Sequence, residues 1–402
     1  MTGPDHDLAP GDVKYVEPKH GENSGTMVVR RRLTPYQRFM SGEGVPIYNG
    51  PGIHDVRELE LVPWSRIGGR GCFIDLDGTT DLLGLQVVEI PPGGVLEPQQ
   101  HLYEEKYFVV EGEGTTEISL PDGSAATRFE WHKGSLFAIP MNARFQLVNA
   151  RNTRALLIVG NTAPHIMNTF DDLNFVFNNP YHFTNRYDGS ADFFTPNTET
   201  LATPELGRAM WRTNLIPDIV NCELPLDNQR SPGYRRIEPT MAGGYFWCFV
   251  GQFVAGRYSK AHSHPSGAVL ICLTGRGYTY NWPSTLGIHP WADGHGDQVE
   301  RVDYVAGGMV AAAPGGGNWF HQHFPASAEP MRMLVFYGGP PGTQYMEYGG
   351  RNQKGATWLN ADIEDGGRSI SYRTEDPHVR EEYARMLAEV GMKPEMPEDI
   401  YS

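Results

Sequence analysis

The feature that most constrains this chain is that it repeats itself. Residues 100–118 (QHLYEEKYFVVEGEGTTEI) align with residues 263–281 (SHPSGAVLICLTGRGYTYN) at a constant offset of 163, which sets His101 over His264, Gly112 over Gly275 and Gly114 over Gly277. A second block, residues 134–140 (GSLFAIP), aligns with residues 308–314 (GMVAAAP) at an offset of 174. The difference predicts 11 extra residues in the second copy, in the Gly-, Pro- and Asp-rich stretch NWPSTLGIHPWADGHGDQ. Self-similarity over such a span means two copies of one folding unit. A length of 402 residues agrees, since it exceeds what one ordinary core accommodates.

Each copy reads as a series of short strands. An apolar strand ends in glycine (IPPGG at 90–94, FVAG at 253–256), and a strand bearing histidine follows. A Gly-x-Gly hairpin comes next, then a glycine-led apolar strand closed by proline. Short strands with regular turn signals predict an antiparallel sandwich or barrel. The 47 glycines and 31 prolines are scattered, as many turns require. The last segment differs. Asp376 is placed to cap a helix with Pro377 in its first turn. Val379, Tyr383, Leu387 and Val390 then form one apolar face, and Gly391 ends it.

Composition narrows the function. A net charge of −15, spread along the chain, repels phosphate backbones and disfavours nucleic acid. Cys72, Cys222, Cys248 and Cys272 form no Cys-x-x-Cys pair, so neither a disulfide framework nor a zinc knuckle is expected, and Cys248 and Cys272 read as buried strand thiols. The N-terminal MTGPDHDLAPGD has no apolar signal-peptide core, and no run of 18 apolar residues exists. The expectation is a cytoplasmic protein that engages no membrane. Nucleotide-binding and nucleophile-elbow signatures are absent, which removes support for hydride and phosphoryl transfer.

The histidines carry the chemistry. His262 and His264 are two residues apart, so in a strand both project from one face. Two readings are open: polar strand residues with no shared task, or part of a metal site completed by His321 from a later strand. Three neutral imidazoles suit Fe, Zn, Cu or Ni, whereas Mn and Ca prefer carboxylate oxygen.

The same residues resemble the motifs of a bicupin, a chain with two cupin barrels. The first family motif is matched by Gly256, His262, His264 and Gly275, with Ala268 where a glutamate ligand is usual. The second is matched by Gly308, Pro314 and His321, with Pro325 where asparagine is common and a proline-to-histidine step two residues longer than usual. WFHQHF at 319–324 and NTAPH at 161–165 are similar to bicupins labelled ethanolamine ammonia lyase-activating proteins, and the three-histidine set resembles gentisate 1,2-dioxygenases. In the first copy the motif positions hold Gln99, His101 and Glu105, with Phe145 at the third-histidine position and Asn149 retained.

The resemblance implies an all-β chain of two jelly-roll-like cupin barrels. The expected divisions are an irregular N-terminal arm (1–70), a barrel with a degenerate site (71–163), a connector (164–240), a metal-binding barrel (241–345), and a C-terminal extension (346–402) with a helix over 377–390. His262, His264 and His321 are the expected metal and catalytic residues. Fe(II) is the expected ion, with Zn, Ni or Cu as alternatives and Mn disfavoured. His323, Trp319, Tyr278 and Tyr280 are candidate substrate or supporting residues. Arg235 and Arg236 are read as exposed arginines that alternatively meet an anionic substrate. His289 and His295 lie in the longer loop, a solvated loop or a lid. The implied activity is oxidative cleavage of a small aromatic, enol or hydroxy-acid substrate by O2. The alternatives are a metal-dependent isomerase or lyase that uses no O2, and a non-catalytic small-molecule-binding protein. Homo-oligomers are expected by the same analogy.

Overall fold

A computed structural model describes residues 33–203, 207–264, 267–315, 319–338 and 361–402. Each copy forms a barrel from one large, mostly antiparallel sheet and one small antiparallel sheet. In the first, Gly69–Leu76, Gly84–Ile90, Ala155–Asn161, Glu105–Glu111 and Leu136–Ile139 lie side by side in that order. Arg144–Val148, Glu113–Ser119 and Thr127–His132 make its small sheet. The second barrel repeats the order with Arg235–Thr240, Trp247–Phe253, Met331–Tyr337, Ala268–Thr274 and Met309–Ala312. Its small sheet is Trp319–Pro325, Arg276–Pro283 and Glu300–Val305, with the short His262–Ser263 strand at the edge.

The large-sheet strands are apolar almost throughout because both of their faces are buried. Along Gly84–Ile90, Leu85 and Val87 point to the other barrel, while Val88 and Ile90 fill their own. Along Ala268–Thr274, Val269, Ile271 and Leu273 join the shared cluster, and Leu270 and Cys272 fill the second barrel. The two large sheets therefore pack back to back, and each fully buried aliphatic side chain there contributes roughly 1.5–3 kcal/mol. Gly160 is one place where the barrels come close. A Cβ at this position would lie 2.5 Å from the Phe336 ring of the opposite barrel.

Strand pairing corrects the repeat. Phe108 lies opposite Leu136, and Ile271 opposite Met309, so the second block is offset by 173 rather than 174. The insertion is ten residues, one fewer than expected. Gly134 corresponds to Gly307, and both have φ above +90°. Pro140 therefore corresponds to Ala313 and not to Pro314. Ala313, in the left-handed region at φ 57°, adds one residue before Pro314.

The expected domain boundaries cut through sheets. Gly52–Ile53, from the N-terminal region, pairs with Met309 and Val310 of the second barrel. Leu215–Ile216, from the connector, pairs with Phe137 and Leu136 of the first. Leu201–Ala202, Ala209–Arg212 and Arg235–Thr240 extend the second barrel's large sheet, so it begins well before residue 241. These pairs are short, and apolar periodicity has little to register in two to four residues. Residues 33–70 pack on their own chain, with helix Pro35–Gly42 capped by Thr34. Of the expected arm and C-terminal extension, residues 1–32 and 346–360 lie outside the described residues. The C-terminal helix is Pro377–Ala388, capped by Asp376, and buries Val379, Tyr383 and Leu387. Among the described residues, no helix is long and apolar enough to cross a membrane.

Candidate metal centre

Strand register brings the second-barrel histidines together. His262 pairs directly with His321 in the small sheet. The equivalent pair in the first barrel is Gln99 with Phe145. His264 lies one residue beyond the end of the His262–Ser263 strand. All three side chains are buried, and their ligand nitrogens lie within 4.8 Å of one another. The Nε2 atoms of His262 and His321 are 3.0 Å apart, and the His264 and His321 rings are 4.5 Å apart. The Nδ1 of His262 lies 3.2 Å from the Lys260 carbonyl. A proton on that Nδ1 leaves the Nε2 lone pair facing the cluster. Burial, then Arg230, then the neighbouring imidazoles hold His262 well below the usual histidine range. Burial, His264, His323 and Arg230 do the same for His321. Neutral imidazole is the form that donates to a metal, so this buried three-histidine set fits a single transition-metal ion.

The cluster forms one wall of a cavity inside the barrel, about 50 Å³ in volume and so large enough for a few waters. His323 shares the inward face of its strand and lines the cavity. Its Nδ1 is 2.8 Å from Thr279 Oγ1, and burial, with Arg230 and His264, pushes it down to about 3. Trp247, Phe249, Phe253 and Leu270 supply apolar lining. Arg230 and Arg236 also line it. Arg236 is 3% exposed, not the exposed arginine expected from sequence. Its guanidinium donates to Glu238 Oε1 at 2.6 Å and stacks 3.7 Å from the centre of the Phe249 ring. Glu238 also takes Arg208 at 3.3 Å, so two buried cations share one carboxylate. The Nε of Arg236 is buried without a hydrogen-bond partner. Arg235 turns the other way, to the Leu224 carbonyl. The alternation along RRIEPT was a signal for this split. Arg230, in an irregular segment, gave no signal.

Several expected substrate residues lie elsewhere. Tyr278 and Tyr280 belong to a cluster on the outer face of the small sheet, against the C-terminal helix. Their neighbour Thr279 is the inward residue, and the period of two places the tyrosines on the far side. Trp319 is half-buried over Gly315 and does not line the cavity. The longer loop is exposed at Thr285, Ala292–Gly294, Asp297 and Gln298, as a solvated loop would be, and it does not line the cavity. Asp376 Oδ2 accepts from Trp291 and Ala292 N–H, and His289 Nε2 lies 2.8 Å from the Thr374 carbonyl. That ties the loop to the C-terminal segment.

The first barrel is closed around its own motif residues. His101 Nε2 lies 3.1 Å from Glu105, which also accepts from Tyr107 at 2.5 Å. Burial alone would raise the Glu105 carboxyl, but His101, Tyr107 and Arg66 outweigh it and hold it below its ordinary value. Tyr103 stacks on His101 at 3.7 Å, and Phe145 meets its edge. Gln99 accepts from Arg66 at 3.0 Å. The remaining cavity is about 20 Å³, room for about one water.

A family model described as Cupin matches residues 79–187, the first barrel and part of the connector. The second barrel repeats that strand order, so the fold is two cupin barrels in one chain. No curated protein matches the chain. Among solved structures it is similar to forms of oxalate decarboxylase from Bacillus subtilis. A tryptophan-to-phenylalanine variant aligns at 12% identity and a TM-score of 0.43, covering 70% of this chain and 76% of that one. A glutamate-to-alanine variant aligns at 12% identity and a TM-score of 0.44, with the same coverage. A structure from work on that enzyme's Mn(II) centres aligns at 11% identity and a TM-score of 0.43, again over 70% and 76%.

Proposed function

We propose that His262, His264 and His321 hold Fe(II) and that the protein is a non-haem dioxygenase of a small organic anion with an aromatic, enol or hydroxy-acid group. The observation that carries this reading is one cavity lined by both a carboxylate-free histidine cluster and the buried Arg236. Three neutral nitrogens add no charge to compensate a divalent ion, so the cavity favours an anionic ligand. Arg236 has the geometry to take a second anionic group, because its Nε is buried and unpaired. The 3.0 Å separation of two Nε2 atoms supports the metal. At that separation both nitrogens would reach one ion with metal–nitrogen bonds of about 2.1 Å.

Ferrous iron, when bound, supplies electron exchange with O2 and Lewis acidity toward substrate oxygens. The chain supplies the rest. Arg236 holds the anionic end. Phe249, Phe253 and Leu270 exclude water from the apolar body. Neutral His323, held 2.8 Å from Thr279 Oγ1 through Nδ1, leaves Nε2 as a hydrogen-bond partner that orients the substrate. Both atoms of O2 enter the product as one C–C bond breaks, which balances without an external reductant.

The test is O2 uptake by Fe(II)-loaded protein across hydroxybenzoates, enol acids and 2-hydroxy acids. The expected result is one O2 per product, with Arg236→Met raising KM while iron content holds. Turnover unchanged under anaerobic conditions would replace this reading with Lewis-acid catalysis. Binding without turnover across the panel would replace it with a binding protein.

A further inference from the structure

We infer that residues 361–402 are a positioning clamp for the metal centre, completing the edge of the His262 strand and bracing the His321 strand from behind. The inference rests on the metal reading above.

The His262–Ser263 strand is only two residues long and sits at the edge of its sheet. On one side it pairs with His321 and Phe320. On the other it pairs with the C-terminal segment. His262 bridges to Ser369, Ser263 N–H donates to the Arg368 carbonyl at 3.1 Å, and Ile370 N–H donates to the Ala261 carbonyl at 2.8 Å. Just before the ligand pair, Lys260 and Asp362 form an ion pair at 2.6 Å. A two-residue edge strand has too few ladder bonds to hold its own register, so the second neighbour determines where His262 stands.

The brace behind His321 is separate. Gln322 lies between His321 and His323 and faces outward. Its Nε2 donates to the Ser259 carbonyl at 2.9 Å and toward Glu375 at 3.4 Å. Glu375 in turn accepts from Tyr258 and from Arg380. Tyr383, Leu387 and Val379 of the helix pack with Tyr258, Tyr278 and Phe324 on the back of the same sheet.

The chain contains its own comparison. Gln99, the counterpart of His262, pairs in the ladder with Phe145, and the outer edge of its segment is held instead by residues 66–67, through Glu97 N–H to the Ile67 carbonyl at 2.8 Å and Arg66 to Gln99 Oε1 at 3.0 Å. The copy with three histidines is backed by residues 361–402, whereas the copy without them is backed by residues 66–67 and has no equivalent of the C-terminal segment among the described residues. Ligand geometry must be held within about 0.5 Å for a site to work, which is what a second strand neighbour supplies.

The experiment is Co(II) titration of the full chain, read by affinity and by the visible absorption of the bound ion. Ile370→Pro removes the N–H that bonds Ala261, and Asp362→Asn breaks the ion pair at constant size. Both leave every ligand in place. The expected result is native far-ultraviolet circular dichroism with Co(II) affinity reduced about 10-fold or more in Ile370→Pro, less in Asp362→Asn, and a changed absorption band in both. Should Ile370→Pro fail to fold, Asp362→Asn decides alone. Affinity within twofold of wild type and an unchanged band in the folded variants would overturn the clamp. Wild-type protein that binds no Co(II) would overturn the metal reading and the clamp with it.

Discussion

Exchanging bulk between the barrels tests whether the large sheets pack back to back. Phe336 is fully buried, and a Cβ on Gly160 would lie 2.5 Å from its Cδ2, 2.8 Å from its Cε2 and 3.0 Å from Phe246 Cζ. Phe336→Ala alone removes a ring that its rigid surroundings cannot replace and costs about 3–5 kcal/mol. Gly160→Val alone forces a branched side chain into occupied space and costs about 1–3 kcal/mol. In the double variant the valine enters the void left by the ring, so the combined cost falls short of the sum by about 1–2 kcal/mol. Urea unfolding of the four proteins, followed by tryptophan fluorescence and by circular dichroism, measures the coupling. Costs that add to within about 0.5 kcal/mol would refute the contact, since additivity is the behaviour of distant sites.

Other expectations follow from buried titratable groups. Burial pushes Glu375 up to about 7 from 4.5, against the lowering bonds of Tyr258, Arg380 and Gln322. A raised carboxyl gives stability that is full below about pH 4.5 and lost as pH rises through about 7, here about 3 kcal/mol. Hydrogen exchange in helix Pro377–Ala388, corrected for intrinsic rate, should therefore accelerate from pH 5 to pH 8, and Glu375→Gln should flatten the dependence. A flat wild-type profile would contradict the buried carboxylate. Burial also raises Cys72 and Cys272 to about 12 and Cys248 to about 11. A maleimide should label native protein at Cys222, the one half-buried thiol, well before the other three. Fast labelling of Cys248 or Cys272 would show that the sheets they occupy are open.

The repeat and the histidine pair were legible because each depends on a local rule. Strand alternation places His262 and His264 on one face, and the repeat assigns Gln99, His101 and Phe145 as their counterparts and that of His321. The same alternation, applied one residue further, would have separated Thr279 from Tyr278 and Tyr280 and Arg236 from Arg235. Alternation does not say which face is inward, because that depends on what covers the other face, here the C-terminal helix behind Tyr278 and Tyr280. Arg230 and the clamp were not legible. Arg230 sits in a segment without periodicity. The clamp joins residues about a hundred positions apart through backbone bonds, which leave no mark on residue type. The exchanged strands Gly52–Ile53 and Leu215–Ile216 are hidden for the same reason.

The account stands or falls on the number of metal ions per chain. Elemental analysis of untagged protein, purified without chelator and reconstituted anaerobically with Fe(II), measures it directly. The expected result is one ion per chain, near zero after His264→Ala, and still one after Glu105→Gln, because among the described residues only the second barrel holds three converging histidines. No ion after reconstitution, or two with one lost in Glu105→Gln, would contradict it.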